Sequence, residues 1–234
     1  MKLFPMTLCP ALLFAIALTV PQLGVADTPS KAKLSAEDTA KRIQAFYQQT
    51  SDFQSHFVQT YTDIAAGDEK VSQGRVYFKK PGKMRWDYVS AKDSKKRDKV
   101  YVSDGRAFWV YEYEFKQVFK QCLKDSQLPT SLRFLLGQGD LLAEFDVSLL
   151  EKSTAENPEL KLIPKEATSK FKALQFTVDS KTGQVIRTLL FDPYGNTNEI
   201  VFSKTRVNRN LPDKGFAFKP PKDARMINPS KACD

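Results

Sequence analysis

Residues 74–88 constrain the fold most, because large apolar side chains alternate with polar ones on both sides of a Pro-Gly pair. A period of two is typical of a β-strand with one buried face. Proline presets φ at the first central position of a turn, and glycine tolerates a positive φ at the second. We therefore predict a hairpin with strands over residues 75–79 and 84–88 and a turn at Pro81 and Gly82. Four basic residues surround this turn: Lys79, Lys80, Lys83 and Arg85.

The rest of the chain repeats the pattern of short alternating strands separated by turn residues. Asp104-Gly105 is a strong hairpin signal, and residues 179–183 and 192–196 are rich in turn residues. Consecutive strands joined by tight turns predict an antiparallel sheet, and a sheet of about eleven strands must curl into an open half-barrel. We expect the sheet to end before residues 220–221, a proline pair. Besides the hairpin, the predicted strands cover residues 53–61, 100–103, 107–113, 115–122, 144–150, 160–164, 171–178, 185–192 and 196–207.

Short helices interrupt this mainly β pattern. Ser35 is a good N-cap, and apolar residues at helical spacing follow it to about residue 51. Residues 128–137 have proline near the start and glycine at the end, which is the asymmetry expected of a helix, and a further helical turn is predicted at residues 140–143. We expect these helices to cover the concave face of the sheet as a lid. Four leucines fall on one face of the middle helix, namely Leu128, Leu132, Leu135 and Leu136, and the last three are predicted to line the covered cavity.

Residues 1–26 have the pattern of a secretory signal peptide. Lys2 supplies a positive start, residues 8–20 are an apolar core, and residues 24–26 are small enough for a cleavage site. The core is shorter than the roughly 20 residues of a membrane-spanning helix. We predict that the leader is cleaved and that residues 27–234 form a single exported domain.

The formal net charge of +9 suits three kinds of partner, namely nucleic acid, an anionic membrane surface and an acidic protein. Export disfavours nucleic acid, so we rank the other two higher. Outside the leader the chain has two cysteines, Cys122 and Cys233. Export permits a disulfide between them, but their distance in sequence leaves open whether it forms.

The sequence offers few residues for catalysis. His56 is its one histidine, and any Ser-His-Asp or Cys-His arrangement would have to use it. One histidine and two distant cysteines do not make a metal site, and residues 137–139 lack the third glycine of a dinucleotide-binding motif. We expect no cofactor, no metal and no enzyme activity. A periplasmic hydrolase that depends on His56 is the lowest-ranked alternative.

Aromatic residues beside basic ones suit either stacked nucleobases or an apolar ligand with a polar head. Export favours the second, and burying an acyl chain contributes about 0.8 kcal/mol per methylene. We predict that the concave face binds acyl chains, while the alternative is that the same residues form an ordinary core. The predicted contacts are Phe57, Phe78, Met84, Trp86, Trp109, Leu132, Leu135 and Leu136.

An ordered set of short motifs spans most of the chain. They are Phe53-x-x-x-Phe57-x-Gln59, Gly74-x-x-Tyr77-Phe78-Lys79-Lys80-Pro81, Met84-Arg85-Trp86, Val102-Ser103-Asp104-Gly105-Arg106-x-x-Trp109-x-Tyr111, Leu160-x-Leu162-x-Pro164-Lys165 and Phe216-x-Phe218-x-Pro220-Pro221. As a set they resemble the LolA family, the periplasmic lipoprotein carriers of Gram-negative bacteria. The resemblance implies an open β-barrel with a helical lid, a cavity for the acyl chains of lipoproteins, and no catalysis.

The same resemblance implies partners and two residue roles. A carrier of this kind accepts acylated lipoproteins from an inner-membrane ABC transporter and passes them to an outer-membrane receptor, and we expect it to act as a monomer. The family's basic residue before the hairpin proline, typically arginine, hydrogen-bonds the lid, and that position is Lys80 here. Lysine lacks the planar fork of arginine, so its latch would be bonded differently. Met84 matches the family's apolar residue that handles cargo.

An alternative with the same fold is an envelope protein that senses lipids or lipoproteins and binds a membrane signalling partner. Recovery of such a partner, in place of a transporter, would favour it.

Overall fold

A computed structural model of the chain describes residues 35–90, 93–123 and 139–229. Within these ranges there are two α-helices, α1 (Ala36–Gln49) and α2 (Leu141–Glu144), and neither is long and apolar enough to cross a membrane. The strands are β1 (Asp52–Asp63), β2 (Asp68–Lys79), β3 (Lys83–Val89), β4 (Arg97–Asp104), β5 (Ala107–Glu112), β6 (Gln117–Cys122), β7 (Phe145–Leu149), β8 (Glu159–Pro164), β9 (Ala173–Val178), β10 (Val185–Phe191), β11 (Thr197–Val207) and β12 (Arg225–Pro229).

All twelve strands form one sheet with the order β12-β6-β5-β4-β3-β2-β1-β11-β10-β9-β8-β7. The neighbours are antiparallel except at one edge, where β12 pairs with β6 in parallel. β12 and β7 remain as separate edges, so the sheet curls without closing. The predicted fold class, a mainly β chain with a curled, open antiparallel sheet, is confirmed.

The prediction that the sheet ends before the proline pair at residues 220–221 is wrong. A 3₁₀ turn at Asp213–Phe216 and the proline pair are followed by β12, which adds a strand to the predicted eleven. The backbone N–H of Arg225 donates to the carbonyl of Lys116 at 2.8 Å, which starts the parallel pairing. Proline lacks a backbone N–H, but this removes a hydrogen bond of the sheet only at the proline itself. The chain can therefore rejoin the sheet four residues after Pro221.

The hairpin predicted around Pro81 and Gly82 forms from β2 and β3, although these strands are longer than predicted. Gly82 in the turn has a φ of +63°, which a glycine adopts without strain. Gly74 is needed for a different reason, since a Cβ there would lie 2.0 Å from the carbonyl oxygen of Asp87. The ring of Phe57 covers this glycine, at 3.0 Å from the same Cβ position.

Both described helices begin where the sequence predicts. The Ser35 side chain accepts a hydrogen bond from the N–H of Asp38 at 2.9 Å, and the Asp140 side chain accepts from two N–H groups of α2. Such caps satisfy donors that have no partner inside the helix. α1 buries Ile43 and Tyr47 against the sheet.

The sheet buries apolar side chains on both faces. The concave face holds the main core, which includes Phe53, Phe176 and the apolar stripe of α1. A smaller cluster around Val102 and Tyr111 lies on the opposite face. Phe218 packs on this cluster and belongs to the C-terminal segment, by which we mean residues 208–224 between β11 and β12. The C-terminal segment therefore covers part of the outer face, while α1 covers part of the inner one.

Candidate functional site

Four of the predicted acyl contacts meet on the concave face. Phe57, Phe78, Met84 and Trp86 are buried, with 2%, 3%, 0% and 2% of their surface exposed. The ring of Trp86 lies 4.7 Å from that of Phe57 and 5.8 Å from that of Phe78, both edge to face. Met84 is opposite Phe78 in the hairpin register. The alternation of β1, β2 and β3 thus places these four side chains in one apolar wall.

Trp109 does not belong to this wall. Residues paired across neighbouring strands point to the same face, and Trp109 pairs with Val102, which pairs with Arg85. Arg85 lies between Met84 and Trp86 in β3 and so points away from the wall, and Trp109 points to the outer face with it. There its ring lies 6.2 Å from that of Phe218. Phe108, its neighbour in β5, joins the concave core instead. The prediction that Trp109 contacts acyl chains is therefore corrected, because β5 is apolar on both faces.

Several predicted features lie outside the described residues. They are the leader at residues 1–26, the leucine-rich helix at residues 128–137 with Leu132, Leu135 and Leu136, and Cys233. Cys122 at the end of β6 is disulfide-bonded. Its pairing with Cys233 stays a prediction.

The apolar wall contains one buried polar atom that no described residue bonds. Among the described residues, the buried indole Nε1 of Trp86 has no hydrogen-bond partner. Leaving a buried donor unpaired costs roughly 1–3 kcal/mol. By contrast, the hydroxyl of Tyr88 on the same face donates to Gln59 Oε1 at 2.8 Å. A carbonyl oxygen of a bound molecule would satisfy the indole N–H.

α1 lies across the concave face and is tied to the rest of the chain at three places, two at turns of the sheet and one at the start of α2. Arg42 donates to the carbonyl of Ser180 in the β9–β10 turn at 3.2 Å. Gln44 donates to the carbonyl of Gly139 at 3.1 Å and accepts from the N–H of Leu141 at 3.2 Å. The third tie is at the C-terminal end of the helix, next to the β2–β3 hairpin.

Lys80 makes that third tie. Its Nζ donates to the carbonyls of Tyr47 and Gln48 at 2.7 and 3.0 Å. The last carbonyls of a helix lack partners within it and carry the negative end of its dipole, so a cation is favoured there. Burial lowers the pKa of Lys80. The hairpin is therefore joined to α1 by a charged, partly desolvated contact.

The other basic residues of the hairpin have partners that the sequence did not indicate. Lys79 and Lys83 each lie 2.7 Å from a carboxylate oxygen of Asp213, and Arg85 makes two 2.8 Å bonds to Asp87. Hydrogen bonds from the two lysines lower the pKa of Asp213 to about 2. Lys79 and Lys83 therefore hold the 3₁₀ turn that contains Asp213, and Arg85 bonds within its own strand.

His56 lies on the outer face, away from the apolar wall. It is opposite Arg75 in β2 and close to Lys204. Burial lowers the pKa of His56, and the two cations lower it further. No carboxylate lines the groove that contains it. Across the described ranges, no three His, Cys, Asp or Glu residues are grouped as metal ligands.

Comparison with known proteins gives a consistent family. The chain is 26% identical over 226 residues to an outer-membrane lipoprotein carrier protein of Chromobacterium violaceum, covering 97% of this chain and 98% of the relative. A relative of the same description from Nitrosomonas europaea is 27% identical over 216 residues, with 92% and 98% covered. An uncharacterized conserved protein of Thermus thermophilus has a similar fold, with a TM-score of 0.52, 14% identity and coverage of 82% and 98%.

The family model of the outer membrane lipoprotein carrier protein LolA matches residues 48–219, from the end of α1 through the 3₁₀ turn. This range contains the apolar wall, Lys80 and strands β1 to β11. The chain belongs to the LolA family.

Proposed function

We propose that this chain is a periplasmic carrier that binds the acyl chains of lipoproteins between the apolar wall and α1. It receives them from an inner-membrane ABC transporter and delivers them to an outer-membrane receptor, as a monomer and without catalysis or a cofactor. The observation that carries this proposal is the joining of an apolar concave wall to a covering helix through Lys80. Family membership and the length of the match to carrier proteins support it.

The energetics of the wall suit a long apolar ligand. Each buried methylene contributes about 0.8 kcal/mol, so an acyl chain that buries ten of them gains about 8 kcal/mol. The wall is closed to solvent in this structure, so α1 must move away before a chain can enter. Lys80 and Gln44 hold the helix by polar contacts that water can replace. Entry of an acyl chain also displaces the apolar stripe of α1, so the methylenes that it buries must replace those contacts as well.

The indole N–H of Trp86 gives the wall a preference among apolar ligands. Acyl chains are joined to a lipoprotein by ester and amide groups, whose carbonyl oxygens accept hydrogen bonds. A carbonyl near Trp86 would satisfy this buried donor, which no described residue bonds. Chains bearing such a carbonyl should bind better than hydrocarbon alone.

Displacement of an apolar fluorescent dye tests the proposal. The purified chain should bind the dye, and a triacylated lipopeptide should displace it, while the same peptide without acyl groups should not. Equal displacement by both peptides, or no dye binding, would contradict the carrier function. Displacement by acylated peptide without lipoprotein release from spheroplasts would instead favour the sensing alternative.

A further inference from the structure

The outer face of the sheet carries a basic groove that the carrier function does not use. Its volume is about 270 Å³, near the lower end of small-molecule pockets. β1, β2 and β11 build it, on the side of β1 opposite to the apolar wall. The lining residues are Gln54, Ser55, His56, Arg75, Tyr77, Lys204 and Arg206.

A β-bulge in β11 brings an extra cation into this groove. Gln54 is opposite Arg206 and His56 is opposite Ser203, so a step of two residues in β1 faces a step of three in β11. Lys204 sits in the bulge with a φ of +53°, which is uncommon for a residue other than glycine. The Ser55 hydroxyl holds the bulge by bonding the Ser203 carbonyl at 2.8 Å. Bulges of this kind re-aim side chains, and Lys204 and Arg206 both line the groove as a result.

No ion pair among the described residues neutralises the positive charge of the groove. Within the described residues, the side chains of Arg75, Lys204 and Arg206 make no ion pair and no hydrogen bond. Asp87 is opposite Arg75 on β3, but both of its oxygens bond Arg85 at 2.8 Å. The groove therefore gathers three cations with no carboxylate among its lining residues.

From this arrangement we infer that the groove binds a phosphate-type oxyanion, such as a phosphate monoester or a phospholipid headgroup. The guanidinium groups of Arg75 and Arg206 can each donate two hydrogen bonds to phosphate oxygens, and the ammonium group of Lys204 adds a further positive charge. The Gln54 amide and the Tyr77 hydroxyl supply further donors at the rim. This site is separate from the apolar wall, so a carrier could bind acyl chains and the anion at the same time.

His56 provides a clean probe, because it is the chain's one histidine and lies in the groove. An anion beside an imidazole favours its charged form and raises its pKa. Titration of the His56 ring resonance by NMR, at constant ionic strength set with chloride, should show that inorganic phosphate or glycerol phosphate raises the pKa of His56. The variant Lys204→Gln should weaken this binding roughly tenfold, the usual effect of losing a charge-assisted hydrogen bond.

Lys161→Gln is the matched control, since it removes the same charge from an exposed position on β8. It should leave phosphate binding unchanged. Co-sedimentation with phosphatidylglycerol vesicles, against phosphatidylcholine vesicles, separates the two sources of the anion. Vesicle binding lost in Lys204→Gln assigns the lipid headgroup, and phosphate binding without vesicle binding assigns a soluble ester. An unmoved His56 resonance together with no vesicle binding, or equal effects of the two variants, would overturn the proposal.

Discussion

Replacing Lys80 with methionine removes the cation that joins the hairpin to α1 while keeping an unbranched side chain of similar length. Two hydrogen bonds to the carbonyls of Tyr47 and Gln48 are lost. Bonds from charged donors contribute about 1.5–3 kcal/mol when well shielded, and a cation at a helix C-terminus about 0.3–1 kcal/mol. Because water reaches this contact and replaces part of it, we expect a loss of about 1–2 kcal/mol in the free energy of opening the last turns of α1.

Such a loss corresponds to a roughly 5- to 30-fold rise in the open population. Amide hydrogen exchange measures it residue by residue, provided that exchange occurs by local opening. The amides of the second half of α1 should exchange faster by this factor in Lys80→Met. Those of the central strands should not change, because the apolar core under them is intact.

Two variants make this test specific. Lys83→Met also removes a hairpin cation, but one that bonds Asp213 and not α1, so it should leave exchange in α1 unchanged. Lys80→Arg should restore most of the protection, since arginine keeps the charge and donors. If α1 exchanges at the same rate in Lys80→Met as in the unmodified chain, or if Lys83→Met accelerates it equally, Lys80 does not hold the helix.

Three further predictions follow from single contacts. Trp86→Phe should weaken binding of an ester-linked diacyl lipid roughly fivefold, or about 1 kcal/mol, in dye displacement, but an ether-linked lipid much less, because only the ester has a carbonyl for the lost N–H. Gly74→Ala should lower the free energy of unfolding by about 1–3 kcal/mol in urea titration, since its Cβ would overlap a backbone oxygen, whereas Gly215→Ala, with nothing within 4 Å, should have little effect. Asp213 has a pKa lowered to about 2 in the folded chain, so its stabilising contribution is complete above the ordinary value of 3.8 and is lost as the pH falls toward 2. Its ¹³C carboxyl shift should titrate near 2, and near 3.8 in a Lys79→Gln, Lys83→Gln double variant; titration near 3.8 in the unmodified chain would disprove the ion pairs.

Local chemistry made much of the fold predictable. The Ser35 cap, the Asp104-Gly105 turn and the Pro-Gly hairpin are each decided by residues within a few positions of one another. Alternation over β1 and β3 was strict enough to place Phe57, Met84 and Trp86 on one face. These features depend on short-range sterics and hydrogen bonds, which the sequence displays directly.

Features that depend on distant partners were not predictable. Trp109 and Phe108 are both large and apolar, and only the packing of Phe218 on the outer face shows which of them faces inward. Asp213 lies 130 residues from Lys83, so no spacing rule connects them. The basic groove likewise depends on a bulge in β11, which alternation does not reveal.

Release of lipoproteins from spheroplasts tests the central claim most directly. The purified chain is added to spheroplasts that retain newly made lipoproteins in the inner membrane, and the soluble fraction is analysed by size exclusion and mass spectrometry. The account predicts a soluble complex of one carrier with one triacylated lipoprotein, and none when a matched protein without acyl groups replaces the cargo. Lipoproteins that remain in the membrane, with the carrier recovered alone, would contradict it.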